Sequence, residues 1–199
     1  MIIYYTEEFA GGHEKSRRLL KRAITEYTAD ADRAERLIRE LRTGEHGKPY
    51  IEGFDCFSVS HTGSIWAVLF GEHECGLDIQ LGKECDCAAI SRRIYPPEDA
   101  ERIAELVNAS ADDGNAYDEF FRLWTRREAL AKALGGSVYD PGLPSAAVDH
   151  PCVNGNAYTV FDIGTSVISV PDGKKLYAAV CVEKAGAGSA EPLELKRLV

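Results

Sequence analysis

Three short apolar runs, separated by glycines, constrain the fold of this chain more than any other feature. They cover 56–60, 65–70 and 76–79, with Gly63 and Gly71 between them. Runs of this length, rich in β-branched and aromatic side chains and broken by turn residues, are typical of β-strands. We therefore predict three adjacent antiparallel strands in the first half of the chain.

Two of these strands carry an ionisable group, His61 at the end of the first and Asp78 inside the third. An unpaired charge in a buried strand is costly, so each group needs a partner or a ligand. His61 is explained either as a histidine satisfied at a strand end or as part of an anion site. Asp78 either bonds to backbone or, together with Gln80 on the same strand face, offers oxygen ligands to a hard cation such as Mg²⁺.

A long helix is predicted over 117–134, with Glu128 and Lys132 on the flank of its apolar face. Their spacing favours a helical ion pair of about 0.2–0.5 kcal/mol. The alternative is that this flank faces a cleft, where Glu128 binds a metal and Lys132 a phosphate. Arg127 falls within the apolar face, so it must extend to solvent or meet an anionic partner.

The order of predicted elements is the same in both halves of the chain, with helices before strands. Predicted helices cover 15–27, 31–41, 88–94, 97–107 and 117–134; further strands cover 2–6, 157–162, 166–170 and 176–183. This order predicts an α+β fold of two pseudo-symmetric lobes, each with helices and an antiparallel β-meander, and an active site in the cleft between them. The predicted domains are 1–82 and 83–199. A linker is predicted at 186–189 and a surface tail at 191–199.

Charge and hydropathy exclude some classes of partner and location. The net charge of −9 argues against nucleic acid as a partner, although a local group of cations would still bind a phosphorylated ligand. No apolar stretch is long enough for a membrane span, and the first residues lack the basic region of a signal peptide, so we expect a cytoplasmic protein without a membrane partner.

The six cysteines include no Cys-x-x-Cys pair, and a disulfide framework is not expected in such a chain. His73, Cys75, Cys85 and Cys87 form one group of zinc-ligand types, but structural zinc sites have wider ligand gaps on at least one side. The sequence leaves open whether this group binds anything.

Four motifs in fixed order resemble a known family. They are Gly47-Lys-Pro49, the segments 57–63 and 76–80, and the helical segment 121–132. At these spacings the chain resembles the 4′-phosphopantetheinyl transferases, in particular the larger, surfactin-synthetase-activating type. The resemblance spans about 15 to 183.

The resemblance implies an enzyme of the holo-[acyl-carrier-protein] synthase type. Such an enzyme transfers 4′-phosphopantetheine from coenzyme A to a serine of an apo acyl or peptidyl carrier protein with Mg²⁺, giving holo carrier protein and 3′,5′-ADP. Covalent joining of two lobes implies a monomer. The alternative is a non-catalytic module of the same fold that binds coenzyme A or a carrier protein. A metal-dependent phosphohydrolase is disfavoured because the chain lacks the usual carboxylate clusters for two metals.

The resemblance also assigns roles by position. Metal binding falls to Asp78, Glu128 and, as a third position, Gln80. Many members have glutamate where this chain has Gln80, so the third metal contact is neutral, water-mediated or absent. Glu128, Lys132 and His61 are the implied catalytic residues, Glu128 as acceptor of the serine proton. The implied coenzyme A contacts are Arg17, Lys48, Pro49, Ser60, His61 and Lys132.

Two further positions follow from the motifs and the charge pattern. Arg127 stands where lysine is commoner in the family, a change that keeps the charge but not the geometry. Arg92 and Arg93 form a basic pair that either docks an acidic carrier protein or belongs to a solvated helix face.

Overall fold

The structure is a computed structural model that describes residues 1–109, 114–171, 173–184 and 192–198. It is a mixed α+β fold with two four-stranded sheets. The first sheet has the strand order β10-β1-β5-β4. Its strands are β1 (Ile2–Thr6), β4 (Cys56–Thr62), β5 (Ile65–Gly71) and β10 (Glu194–Arg197). Helices α1 (His13–Thr28) and α2 (Ala31–Arg39) and a small hairpin of β2 (Arg42–Thr43) and β3 (Pro49–Tyr50) accompany it.

The second sheet has the order β6-β9-β8-β7 and antiparallel pairing. Its strands are β6 (Cys75–Leu81), β7 (Cys152–Val153), β8 (Asn156–Asp162) and β9 (Leu176–Glu183). Three helices belong to this half, α3 (Cys87–Ile94), α4 (Pro97–Ala109) and α5 (Asn115–Ala133). Among the described helices, none combines the length and apolar character that crossing a membrane would need.

The two sheets share one hydrophobic core. Alternate residues of β1 and β5 point into it from the first sheet, and Leu77 and Ile79 of β6 point into it from the second. The opposite face of the first sheet is covered by α1 and α2, and that of the second by the last turns of α5. Because Leu77 and Ile79 face the shared core, Asp78 between them faces α5.

Strands β4 and β6 are the edges at which the two sheets meet. Three hydroxyl groups of β4, at every second residue, accept hydrogen bonds from backbone N–H groups of β6. The pairs are Ser58 with Leu77 at 3.0 Å, Ser60 with Ile79 at 3.2 Å, and Thr62 with Leu81 at 3.1 Å. This hydroxyl ladder satisfies N–H groups that would otherwise be orphaned at a buried strand edge.

Three expectations about the strands are corrected. Strand β6 pairs with β9 and not with β5, because an apolar run shows that a strand is buried but not which neighbour it pairs with. The stretch 166–170 is not a strand: 166–168 form a turn and 169–170 are irregular, with Val167 on the surface. Residues 194–197 are a strand parallel to β1 and not a tail.

The position of 191–199 at the end of the chain favoured a surface tail, but this segment includes Lys196 and Arg197, and Lys and Arg are also common on edge strands. The predicted linker at 186–189 lies outside the described residues. The domain boundary after residue 82 stays a prediction. Strand β6 precedes this boundary but belongs to the second sheet, and strand β10 follows it but belongs to the first sheet.

Candidate active site

The site is built where β6 and α5 approach at backbone distance. A Cβ atom placed on Gly76 would lie 1.9 Å from the carbonyl oxygen of Ala129, so only glycine permits this contact. One pleat along β6, Asp78 then lies opposite the next turn of α5. This places the carboxylate of the strand beside Glu128 and Lys132 of the helix, which the sequence predicted to act together.

Asp78 has two oxygens in different environments. Its Oδ1 accepts hydrogen bonds from the Ser60 hydroxyl at 2.9 Å and from the Lys132 ammonium group at 2.6 Å. Its Oδ2 is buried and has no hydrogen-bond partner among the described residues. Since the residue is only 6% exposed, an orphaned carboxylate oxygen at this point is costly and marks a position for a positively charged ligand.

Lys132 uses all three of its donors on protein groups. Besides Asp78, its Nζ donates to the Ser60 hydroxyl at 3.2 Å and to the Leu77 carbonyl at 3.1 Å. The helical ion pair between Lys132 and Glu128, one of the two sequence interpretations, is not formed in the described part of the chain. Lys132 instead makes its ion pair across the interface between strand and helix.

Glu128 is half-buried near both charges. Burial raises the pKa of its carboxyl group above the ordinary value, Asp78 raises it further, and Lys132 opposes the shift. The negative charge of Asp78 thus acts directly on the Glu128 carboxyl group. A carboxyl group whose pKa is raised by burial and by a neighbouring carboxylate is a recurrent feature of cation sites and of general acid–base chemistry.

Gln80 lies on the same strand face as Asp78, two residues further on. Its Nε2 donates to the Leu81 carbonyl at 2.8 Å and to the Thr62 hydroxyl at 3.4 Å. These bonds engage the amide nitrogen and leave the amide oxygen as the group that is able to bind a cation.

His61 and Arg17 lie away from this group. Strand alternation places His61 on the opposite face of β4 from Ser60; it is exposed, with its ring centroid 5.0 Å from that of Phe9. Its register partner Trp66 donates to the Ser16 hydroxyl on α1 at 2.8 Å. Arg17 follows on α1 and donates to the Ile38 carbonyl at 2.5 Å. The structure therefore brings His61 towards α1, not towards Asp78.

Lys48 and Pro49 line a cavity of about 550 Å³ between the β3 region, β4 and the end of α5. The Lys48 ammonium group pairs with Glu74 at 2.6 Å and donates to the Ala133 carbonyl at 3.4 Å. Because Ala133 directly follows Lys132, this cavity lies beside the Asp78 group. A cation bonded to a carbonyl at this helix end also interacts favourably with the helix dipole.

A second cavity of about 300 Å³ begins at Gln80 and runs along α5. Phe120 and Trp124 supply apolar surface, and Lys83 and the exposed Arg93 supply positive charge. Trp124 lies one helical turn before Glu128, so this cavity adjoins the carboxylates from the side opposite the Lys48 cavity.

Arg127 neither extends to solvent nor forms an ion pair in the described ranges, which were the two sequence expectations. It is 2% exposed, and its Nε donates to the Val138 carbonyl and its Nη2 to the Asp140 carbonyl, both at 2.8 Å. Burial lowers the pKa of its guanidinium group. Its Nη1 is buried without a partner among the described residues. Arg127 therefore fastens the loop after α5 to the helix.

The group of His73, Cys75, Cys85 and Cys87 does not converge. Cys85 and Cys87 lie with their sulfurs 3.6 Å apart, while Cys75 is buried inside the second sheet and His73 is exposed. No set of three or more His, Cys, Asp or Glu residues suited to a metal occurs in the described ranges. Any cation at Asp78 and Glu128 therefore needs oxygens from other groups, such as an amide, water or a bound ligand, to complete its shell.

Sequence reasoning missed the roles of four residues that support this site. Gly76 has no side chain, and its signal was the glycine directly before the Leu-Asp-Ile run. Ser58 and Thr62 complete the hydroxyl ladder, and their signal was three hydroxyl residues at a period of two. Glu74 neutralises Lys48, and nothing in the sequence linked these two positions.

Comparison with known families gives a match over residues 74–179, more than half of the chain, to the 4′-phosphopantetheinyl transferase superfamily. Over 125 residues the chain is 32% identical to the 4′-phosphopantetheinyl transferase AcpT of Salmonella typhi, covering 58% of this chain and 62% of that protein. It is 27% identical over 101 residues to the 4′-phosphopantetheinyl transferase gsp of Aneurinibacillus migulanus, covering 51% of this chain and 40% of that protein.

A fungal relative, the 4′-phosphopantetheinyl transferase pptA of Paxillus involutus, is 30% identical over 111 residues, which are 47% of this chain and 42% of that protein. The matched part thus spans less than two thirds of each of these relatives. The family match includes β6, α5 and with them Asp78, Glu128 and Lys132. On this evidence the chain belongs to the 4′-phosphopantetheinyl transferase superfamily.

Proposed function

We propose that the protein transfers the 4′-phosphopantetheine group of coenzyme A to a serine of an apo carrier protein and releases 3′,5′-ADP. The observation that carries this proposal is the arrangement of Asp78. One oxygen is fixed by Ser60 and Lys132, and the other is buried beside Glu128 without a hydrogen-bond partner in the described ranges. Membership of the superfamily supports the reaction class.

The donor set fits Mg²⁺, which prefers oxygen ligands and keeps several waters or phosphate oxygens in its shell. Asp78 Oδ2 and the Glu128 carboxylate would hold it, with the Gln80 amide oxygen as a neutral third ligand. The orphaned state of Oδ2 supports this assignment. When bound, Mg²⁺ would neutralise charge on the pyrophosphate of coenzyme A.

Glu128 is proposed as the general base. The carrier serine oxygen attacks the phosphorus that bears the pantetheine arm, one P–O bond forms, and the P–O bond to the 3′,5′-ADP leaving group breaks. The serine proton passes to the Glu128 carboxylate.

Lys132 is proposed to stabilise the negative charge of the leaving group. Its ammonium group already lies at Asp78, so a small rotation about its flexible stem would bring it to a phosphate next to that carboxylate. The proposed nucleotide contacts are Lys48 and Pro49 in the larger cavity and, on the α1 side, His61 and Arg17. Ser60 is the remaining residue that the resemblance assigned to coenzyme A.

Arg92 and Arg93 are the proposed docking residues for an acidic carrier protein. Both are exposed on α3, and Arg93 lines the cavity that adjoins the carboxylates. Asp78, Glu128 and Lys132 all come from one chain, which supports a monomer as the active form. A cytoplasmic location and the surfactin-synthetase-activating subtype stay predictions.

The direct test is incubation with coenzyme A, Mg²⁺ and apo carrier proteins from fatty-acid, polyketide and nonribosomal-peptide synthesis, followed by intact mass measurement. We expect at least one carrier to gain the mass of a single phosphopantetheine group. Calorimetric binding of coenzyme A or carrier without any mass gain would instead support the non-catalytic module. A protein that neither binds these ligands nor transfers the group would overturn the proposal.

A further inference from the structure

Ser60 stands out among the three hydroxyls of the ladder because it alone contacts Asp78. We propose that Ser60 is a positioning residue for the cation: its hydroxyl fixes Asp78 Oδ1 so that Oδ2 is presented to the metal. This inference rests on the proposed function, because it assumes a cation at Asp78. It differs from the role implied by resemblance, in which Ser60 contacts coenzyme A.

The three hydrogen bonds of the Ser60 hydroxyl group determine the direction in which its hydrogen points. A serine hydroxyl has two acceptor lone pairs and one donor hydrogen. The Ile79 backbone N–H donates to it at 3.2 Å and the Lys132 ammonium group donates at 3.2 Å. Both lone pairs are thereby used, and the hydrogen is left to donate to Asp78 Oδ1 at 2.9 Å.

As a consequence, the two carboxylate oxygens of Asp78 differ in their hydrogen bonding. Oδ1 receives two hydrogen bonds, one neutral and one from a cation, while Oδ2 receives none among the described residues. Turning the carboxylate by half a rotation would exchange the two oxygens but would not change its contacts. Smaller rotations would break both bonds at Oδ1, so the plane of the carboxylate is held before a cation arrives. Such supporting bonds orient metal ligands in many proteins.

The alternative, a side-chain contact to a phosphate of coenzyme A, has little room. Ser60 is 5% exposed, and all of its hydrogen-bonding capacity is used within the protein. A phosphate oxygen would have to displace Asp78 as the acceptor of the only hydroxyl hydrogen. The two roles therefore predict opposite effects on cation and coenzyme A affinity.

Ser58 provides a matched control. It lies on the same face of the same strand, is 1% exposed, and accepts a backbone hydrogen bond from β6 just as Ser60 does. Among the hydrogen bonds of the described residues, none joins Ser58 to Asp78 or Lys132. Ser58→Ala thus removes one rung of the hydroxyl ladder and leaves the carboxylate untouched, whereas Ser60→Ala removes a rung and the bond to Oδ1.

The test measures binding and not turnover. Mn²⁺ binding is followed by loss of the free-ion electron paramagnetic resonance signal in protein saturated with coenzyme A, and coenzyme A binding is measured by calorimetry without metal. We expect Ser60→Ala to weaken Mn²⁺ binding about 10- to 100-fold, as for other supporting bonds to metal ligands, with coenzyme A affinity unchanged. Ser58→Ala should change neither affinity, and Ser60→Thr, which keeps the hydroxyl, should restore Mn²⁺ binding.

Two results would overturn the inference. Equal Mn²⁺ affinities in the Ser60→Ala and Ser58→Ala proteins would show that the hydroxyl does not act on the carboxylate. Reduced coenzyme A affinity with intact Mn²⁺ affinity would make Ser60 a phosphate contact. If circular dichroism shows that Ser60→Ala does not fold, Ser60→Cys, whose thiol is a weak donor of similar shape, gives the same comparison. A wild-type protein that binds neither ligand would instead refute the proposed function.

Discussion

Gly76 and Ala129 bring strand β6 and helix α5 into backbone contact, with 1.9 Å between the carbonyl oxygen of Ala129 and the place a Cβ on Gly76 would take. The same contact leaves 2.7 Å to the backbone nitrogen of Ala133. Neither backbone atom is free to move aside, because α5 is packed against the second sheet. This contact sets the distance between Asp78 on the strand and Lys132 on the helix.

Gly76→Ala should therefore separate strand from helix. We expect a loss of unfolding free energy of at least about 1–3 kcal/mol, the usual cost of an overpacked core, and loss of Mn²⁺ binding through the displaced Asp78. Urea unfolding and Mn²⁺ titration measure the two effects. Gly71→Ala is the control, since its Cβ would lie an ordinary 3.7 Å from Met1 Cγ. Equal stability of the two variants would contradict the role given to Gly76.

Glu128 should make the stability of the metal-free protein depend on pH. Because its pKa is raised on folding, the folded state holds this proton more tightly than the unfolded state. From its ordinary value of 4.5 up to the raised pKa, the stability that this group contributes falls as pH rises, and above that range the loss is constant.

Glu128→Gln removes the titration, so we expect the variant to gain stability relative to wild type as pH rises through this range and to keep the gain at neutral pH. Urea unfolding at a series of pH values, with a chelator present, measures the difference. The same variant should lose transfer activity. A stability difference that stays constant with pH would refute the assignment of the raised pKa to Glu128.

Arg127→Lys should destabilise the protein, although the resemblance to the family makes lysine the expected residue at this position. Lysine has a single nitrogen and cannot reach the Val138 and Asp140 carbonyls in the geometry that Nε and Nη2 use. We expect a loss of about 1–3 kcal/mol, the cost of leaving a buried polar group unsatisfied. Arg36→Lys, at an exposed position of α2, should be near neutral in the same urea unfolding experiment. A stable Arg127→Lys protein would show that these bonds contribute little.

Charge reversal of Arg92 and Arg93 should impair carrier docking alone. The Arg92→Glu/Arg93→Glu protein is expected to show a raised apparent KM for the carrier, because an acidic partner meets negative charge beside the smaller cavity. Its calorimetric affinity for coenzyme A should be unchanged. Lys184→Glu, an exposed reversal just after β9, serves as the control. An unaltered KM would show that α3 belongs to a solvated face.

Much of the secondary structure follows from local pattern. The strands Ile2–Thr6 and Leu176–Glu183 and the cap of α2, where Asp30 accepts from the Arg33 backbone N–H at 2.8 Å, match the sequence predictions. Periodicity and capping depend on neighbouring residues and are readable without a fold. The pairing of β6 with β9 joins positions about a hundred residues apart, and no local pattern encodes it.

The site was predictable in its residue types and less so in its contacts. Strand alternation correctly separated Ser60 from His61, and motif order placed Asp78 with Glu128 and Lys132. The partners of Lys132 and Arg127 were not predictable, because both long side chains reach groups on other elements: a carboxylate on β6 and loop carbonyls after α5. Side chains of this length choose among several partners, and only tertiary structure decides.

Asp78 is proposed to support phosphopantetheine transfer through Oδ2, the oxygen that has no hydrogen-bond partner among the described residues. The most direct measurement is the intact mass of an apo carrier protein after incubation with coenzyme A, Mg²⁺ and either the wild-type protein or Asp78→Asn, which keeps the shape of the side chain and removes its charge. We predict a gain of one phosphopantetheine group with the wild-type protein and none with a folded Asp78→Asn protein. Equal modification of the carrier by both proteins would contradict the account.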